Sequence, residues 1–159
     1  MVAFSGVSHV ALTVADLDRS ERFYRELFDL IRLADFGVAR VLLHRQTGFM
    51  LAVVSHEAAG GGPFSELNTG MDHLGFVAES REELVEWESR FEELGVEYTP
   101  IRDMDFGSHL NFRDPDNIAL ELNCHNDVMK GWLAELEERD IPADEREARL
   151  AEYLTSRAQ

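Results

Sequence analysis

Met71-Asp72-His73-Leu74-Gly75-Phe76-Val77 has the same form as Ser8-His9-Val10-Ala11-Leu12-Thr13-Val14 near the N-terminus. Each is a histidine followed by a short run alternating apolar with small residues. Each then leads into acidic residues and an amphipathic helical pattern. Strand alternation puts His9, Ala11 and Thr13 on one face and Val10, Leu12 and Val14 on the other. The second copy sets His73, Gly75 and Val77 against Leu74, Phe76 and Ala78. In both, the histidine shares its face with a residue too small to fill space, which leaves room for a bound group.

The segments that follow the two copies repeat one another. After the first, Asp16 or Asp18 can cap a helix to about Asp29, with Leu17, Phe23, Tyr24, Leu27 and Phe28 on one side. Residues 30–36, 39–44 and 48–55 then read as three strands. After the second copy, a helix over 81–94 carries Leu84, Val85, Trp87, Phe91 and Leu94, and Gly95 ends it. Strands follow at 96–101, 107–113 and 118–124, the last two joined by the turn Asp114-Pro115-Asp116-Asn117. Each half is therefore β-α-β-β-β. His9 falls over His73, 64 residues on, and Ala52 falls over Glu121, 69 residues on. The difference belongs in a loop, where insertions cost little. Residues 57–70, with Gly60-Gly61-Gly62-Pro63 at their centre, form a flexible connection without a phosphate-binding signature.

The expected fold is α+β: a single domain over 1–125 made of two modules, about 5–56 and 71–125, plus a C-terminal helical extension over 126–159. In the extension, Val128, Met129, Trp132, Leu133 and Leu136 form an apolar stripe, and residues 144–157 have Leu150, Tyr153 and Leu154 as their large anchors. The stripe exceeds what a lone appendix needs, so a homodimer is expected. No apolar run approaches the roughly 18–20 residues of a membrane span. Without a signal-like N-terminus, and with Cys124 as the lone cysteine, the chain reads as cytoplasmic. A net charge of -16 repels nucleic acid and anionic membranes, leaving a small molecule as the expected partner.

Glu121 is the odd residue of its strand. It lies among Ile118, Leu120 and Leu122, yet alternation turns it to the opposite face with Ala119 and Asn123. A carboxylate in a central strand is costly unless it is paired or bound to a metal. His9, His73 and Glu121 make two histidines and a carboxylate, the set that holds a divalent ion with positions left open; Fe(II) or Mn(II) suits it best, with Zn, Ni or Co as further options. His109 and Asn111 share a face of the adjacent strand and point at those open positions as candidate catalytic residues. His44, His56 and His125 sit near strand ends, and Cys124 faces away from Glu121.

SHVALTVADLDRSERFYRELFDL (residues 8–30), MDHLGFVAES (71–80) and NFRDPDNIALEL (111–122) together resemble the vicinal oxygen chelate superfamily. It includes glyoxalase I, extradiol dioxygenases, fosfomycin-resistance transferases, methylmalonyl-CoA epimerase and bleomycin-resistance proteins. The resemblance implies a cupped mixed sheet of two modules whose ligands sit on the first, fifth and last strands, here His9, His73 and Glu121. The metal would chelate two neighbouring oxygens of a substrate. Glyoxalase I carries a further ligand where Ala52 stands, so the ligand set is nearest the dioxygenase branch. A lyase or isomerase is the alternative within the superfamily. A metal-free drug-binding protein is the alternative from another class, and such proteins generally lack these ligands. The resemblance also allows modules to exchange between chains, one site then drawing ligands from two subunits.

Overall fold

Asp16 and Ser80 start the two main helices in the same way: each side-chain oxygen accepts the amide three residues on, from Arg19 and Glu83. Gly95 closes the second helix at φ 66°, with the Val96 amide bonded to the Phe91 carbonyl in a Schellman arrangement. The computed structural model describes residues 3–157. The first module contains β1 (Val10–Thr13), α1 (Leu17–Phe28), β2 (Ile31–Asp35), β3 (Ala39–Leu43) and β4 (Met50–Val54). The second contains β5 (Leu74–Val77), α2 (Arg81–Leu94), β6 (Arg102–Met104), β7 (Gly107–Arg113) and β8 (Ala119–His125). Two further helices follow, α3 (Asp127–Glu138) and α4 (Ala143–Arg157).

Each module closes its own four-stranded mixed sheet, ordered β1-β4-β3-β2 and β5-β8-β7-β6. The pairs β1–β4 and β5–β8, each at one edge of its sheet, are parallel and the others antiparallel. Registers repeat as well as orders: Ala11 lies opposite Ala52, and Gly75 lies opposite Glu121. The two sequence offsets are therefore those of the fold, and Ala52 is the positional counterpart of Glu121.

One face of each sheet is covered by its helix. Leu12, Leu42, Leu51 and Val53 turn inward in the first module; Leu110, Phe112, Leu120 and Leu122 do so in the second. Phe28, at the end of α1, crosses to the second module and meets Phe76 at 4.6 Å between ring centroids, with Trp87 and Phe112 close by. Tyr24 donates to Asp114 at 2.9 Å and Arg19 pairs with Asp116, so α1 is also tied to the β7–β8 turn. Asn117 in that turn takes φ 66°, as its sequence requires. The other face of each sheet is left open.

The expected strand at 96–101 is displaced. Only Tyr98 bridges to Phe112, and the regular strand β6 forms further on, at Arg102–Met104. Pro100 is the cause, because it has no amide to donate and breaks the ladder between the two stretches. His9 and His73 stand one residue before the regular parts of β1 and β5. Among the described residues, no helix is long and apolar enough to cross a membrane.

Candidate metal centre

The open face of the second sheet carries the polar residues. Gly75 on β5, Glu121 on β8 and Asn111 on β7 lie in one row across it, while Asn123, His109 and Arg102 make the next row on β8, β7 and β6. His73 precedes this face of β5. Glu121 is only 7% exposed although it belongs to the open side. Its flanking groups bury it and also satisfy it. His109 Nδ1 lies 2.9 Å from Oε2, and the Asn123 amide donates to Oε1 at 3.1 Å.

His73 approaches from the other flank, with Nε2 at 3.8 Å from Glu121 Oε1. Metal–ligand bonds of roughly 2.0–2.3 Å allow two donor atoms on one ion to stand up to about 4.5 Å apart. The pair therefore fits a shared cation. The outward ring nitrogen fits too: His73 Nδ1 is held by Asp72 Oδ1 at 2.6 Å, which fixes the ring and leaves Nε2 towards the carboxylate. A carboxylate behind a histidine is the usual support for a metal-binding imidazole. Gly75 keeps the space clear, since a Cβ there would sit 3.9 Å from Glu121 Oε1.

His9 has the same preparation at a different place. Its Nδ1 is 2.9 Å from Ser8 Oγ, so Nε2 is again the free nitrogen. It belongs to the first sheet, however, and β1 pairs with β4 rather than with β5. Among the described residues, no three His, Cys, Asp or Glu side chains gather into a metal-holding group. One chain thus brings His73 and His109 each beside Glu121, and His9 joins no such group among the described residues.

The remaining candidates fall where alternation put them. Asn111 is directly opposite Glu121, and Cys124 is buried on the core side. His44 is held by Thr47 at 2.8 Å, and His56 and His125 are exposed. His109, expected to point at open metal positions, places Nδ1 2.9 Å from the carboxylate. Asp72, Ser8 and Asn123 were missed by sequence reasoning. The available signal was a polar residue immediately before each histidine, and an amide two residues beyond the glutamate on its own face.

Residues 6–122 match the family model of the glyoxalase/bleomycin resistance protein/dioxygenase superfamily. The chain is 31% identical over 122 residues to the fosfomycin resistance protein FosX of Listeria monocytogenes, covering 76% of this chain and 90% of that one. A glyoxylase/bleomycin resistance protein/dioxygenase domain from Frankia sp. EAN1pec is 37% identical, with a TM-score of 0.71 over 79% of this chain and 95% of that chain. A mutant of the Listeria monocytogenes FosX, complexed with Mn(II) and 1S,2S-dihydroxypropylphosphonic acid, is 25% identical with a TM-score of 0.62, covering 80% of this chain and 95% of its own. The chain belongs to the glyoxalase/bleomycin resistance protein/dioxygenase superfamily.

Proposed function

We propose that this chain is a metal-dependent enzyme whose small oxygenated substrate binds through two neighbouring oxygens over the open face of the second sheet. The observation that carries the reading is the His73–Glu121 pair, 3.8 Å apart, with the imidazole fixed from behind by Asp72. His9, His73 and Glu121 would hold one divalent ion, Mn(II) or Fe(II) by the mixture of nitrogen and oxygen donors. The mutant FosX relative is complexed with Mn(II) and with a vicinal diol, which supports both the ion and the class of substrate. When bound, the ion supplies Lewis-acid polarisation of the paired substrate oxygens.

The chain's own residues then divide the work. His73 and Glu121 present a fixed nitrogen and a fixed oxygen on one side of the site. Asn111 and Asn123 offer amide groups for orienting a polar substrate beside Glu121. Arg102, in the same row as His109, forms no ion pair among the described residues and suits an anionic group on the substrate. Three protein ligands leave room for two substrate oxygens, the ligand count of the dioxygenase branch, whereas the curated relatives are fosfomycin resistance proteins. Chelation of neighbouring oxygens is common to both.

The active unit is a homodimer in this reading. β1 and β5 each pair on one side alone and present a free edge. A cleft of about 790 Å³ runs beside β5, lined by Phe28, Phe49, Phe76 and Trp87. Seating β1 of a second copy along that region would supply a His9 to Glu121. The test of the metal reading is elemental analysis of protein purified without chelator, beside His73→Ala. One equivalent of a divalent metal per chain in the wild type, lost in a folded His73→Ala variant, is the expected result. Full occupancy in that variant overturns the assignment.

A further inference from the structure

We infer that His109 is a positioning residue for the metal-binding carboxylate, acting through Glu121 Oε2 and not as a ligand or a substrate contact. The inference rests on the metal reading above and adds a residue to it. β5 and β7 flank β8 on opposite sides, so Glu121 has one neighbour strand carrying His73 and another carrying His109. Register places His109 opposite Asn123, not opposite Glu121, and the ring reaches diagonally back to Oε2 at 2.9 Å. The two carboxylate oxygens are thereby separated in role. Oε2 is occupied from the β7 side, while Oε1 is steadied by Asn123 at 3.1 Å and faces His73 across the space that Gly75 leaves open.

A glutamate has three rotatable bonds, and a carboxylate free to turn would offer either oxygen in several directions. Anchoring Oε2 leaves one direction for Oε1, towards His73. His109 Nδ1 is turned onto Oε2 at 2.9 Å, not onto Oε1, the oxygen that faces His73. Partners that orient a ligating side chain typically change metal affinity by about 10–100-fold when removed.

Mn(II) binding is measured from the loss of the free-ion electron paramagnetic resonance signal on titration of the wild type, His109→Leu and His109→Asn, each checked for folding by circular dichroism. Asparagine can place its amide N–H near the position of Nδ1, while leucine fills the space and donates nothing. Affinity in His109→Leu should fall about 10–100-fold, and His109→Asn should recover most of it at unchanged stoichiometry. Equal Mn(II) affinity in the wild type and His109→Leu overturns the positioning role and leaves the metal reading standing. A loss of the same size in a folded His109→Asn also overturns it, since a direct ligand would behave so. Absence of stoichiometric Mn(II) in the wild type overturns the metal reading itself, a result distinct from both.

Discussion

At the residue scale the repeat makes its own experiment available. Ala52 occupies the register position of Glu121, opposite Ala11 as Glu121 is opposite Gly75. Ala52→Glu would put a second carboxylate on the open face of the first sheet, where glyoxalase I has its further ligand. Metal affinity should rise and any turnover needing open positions should slow; calorimetric titration with Mn(II) reads the first, and unchanged affinity would mean that position 52 does not reach the ion. Gly107 is constrained differently, because a Cβ there would lie 2.0 Å from the Cys124 carbonyl oxygen. Gly107→Ala must push β7 from β8, so a loss of about 1–3 kcal/mol is expected by urea unfolding. Which of these roles could be read from sequence depended on range. The face of Glu121 followed from alternation alone, and the repeat pointed to His73. The approach of the His109 ring to the carboxylate did not, since it reaches across a register that alternation cannot supply.

Elements were legible wherever the pattern was local. Both helices declared themselves by spacing and caps, and β7–β8 by its turn. β6 was misplaced because residues 97–99 pair with β7 through Glu97 and Thr99, while the ladder is interrupted at Pro100 before regular β6 begins. The helical extension was legible as helix but not as to where it sits. It docks on the β6–β7 turn: Phe106 stacks on Tyr153 at 4.9 Å and meets Trp132 at 5.6 Å. Asn126, which caps α3, donates to the Asp105 carbonyl at 2.8 Å, and the Tyr153 hydroxyl donates to the same oxygen at short range. The family match ends at residue 122, so this contact is an addition to the shared fold. Tyr153→Ala removes the stacked ring and one donor together. Stability should fall by about 1–3 kcal/mol, with amide exchange quickening in α4 before β7 and β8; uniform quickening would show that the extension does not unfold separately. Glu21 does similar work in the first module. It is 3% exposed on α1 and receives Arg32 and Arg40 from the β2–β3 hairpin, and Glu21→Ala should cost about 1–3 kcal/mol, since Arg40 keeps Asp18 and Asp35 as partners.

For the whole molecule, charge and assembly remain. The arginine pairs of Glu21 and Glu66 hold both carboxyls below the ordinary range, Glu66 at about 2 through Arg113. Their folded values lie below their unfolded ones, so each contribution is complete above the ordinary carboxylate range and is lost as pH falls through the folded value, which for Glu66 is about 2. Burial raises Asp114, which acts in the opposite sense. Melting temperature should therefore drop between pH 5 and 3, the paired carboxylates outweighing the single buried one; a rise over that interval would reverse the assignment. Assembly is tested by complementation. His9 and the His73–Glu121 pair belong to different sheets of one chain, and in the proposed dimer His9 reaches the pair from a second copy. His9→Ala and His73→Ala homodimers should each lose stoichiometric metal, because every site then lacks one ligand. In a mixed dimer, one site receives both lesions and the other receives neither, so about half of the wild-type metal should return. If each site were built within one chain, both halves of the mixed dimer would stay defective and no metal would return. Tagging the two variants differently and refolding them together isolates the mixed species, so recovered metal and its absence give opposite answers about where His9 belongs.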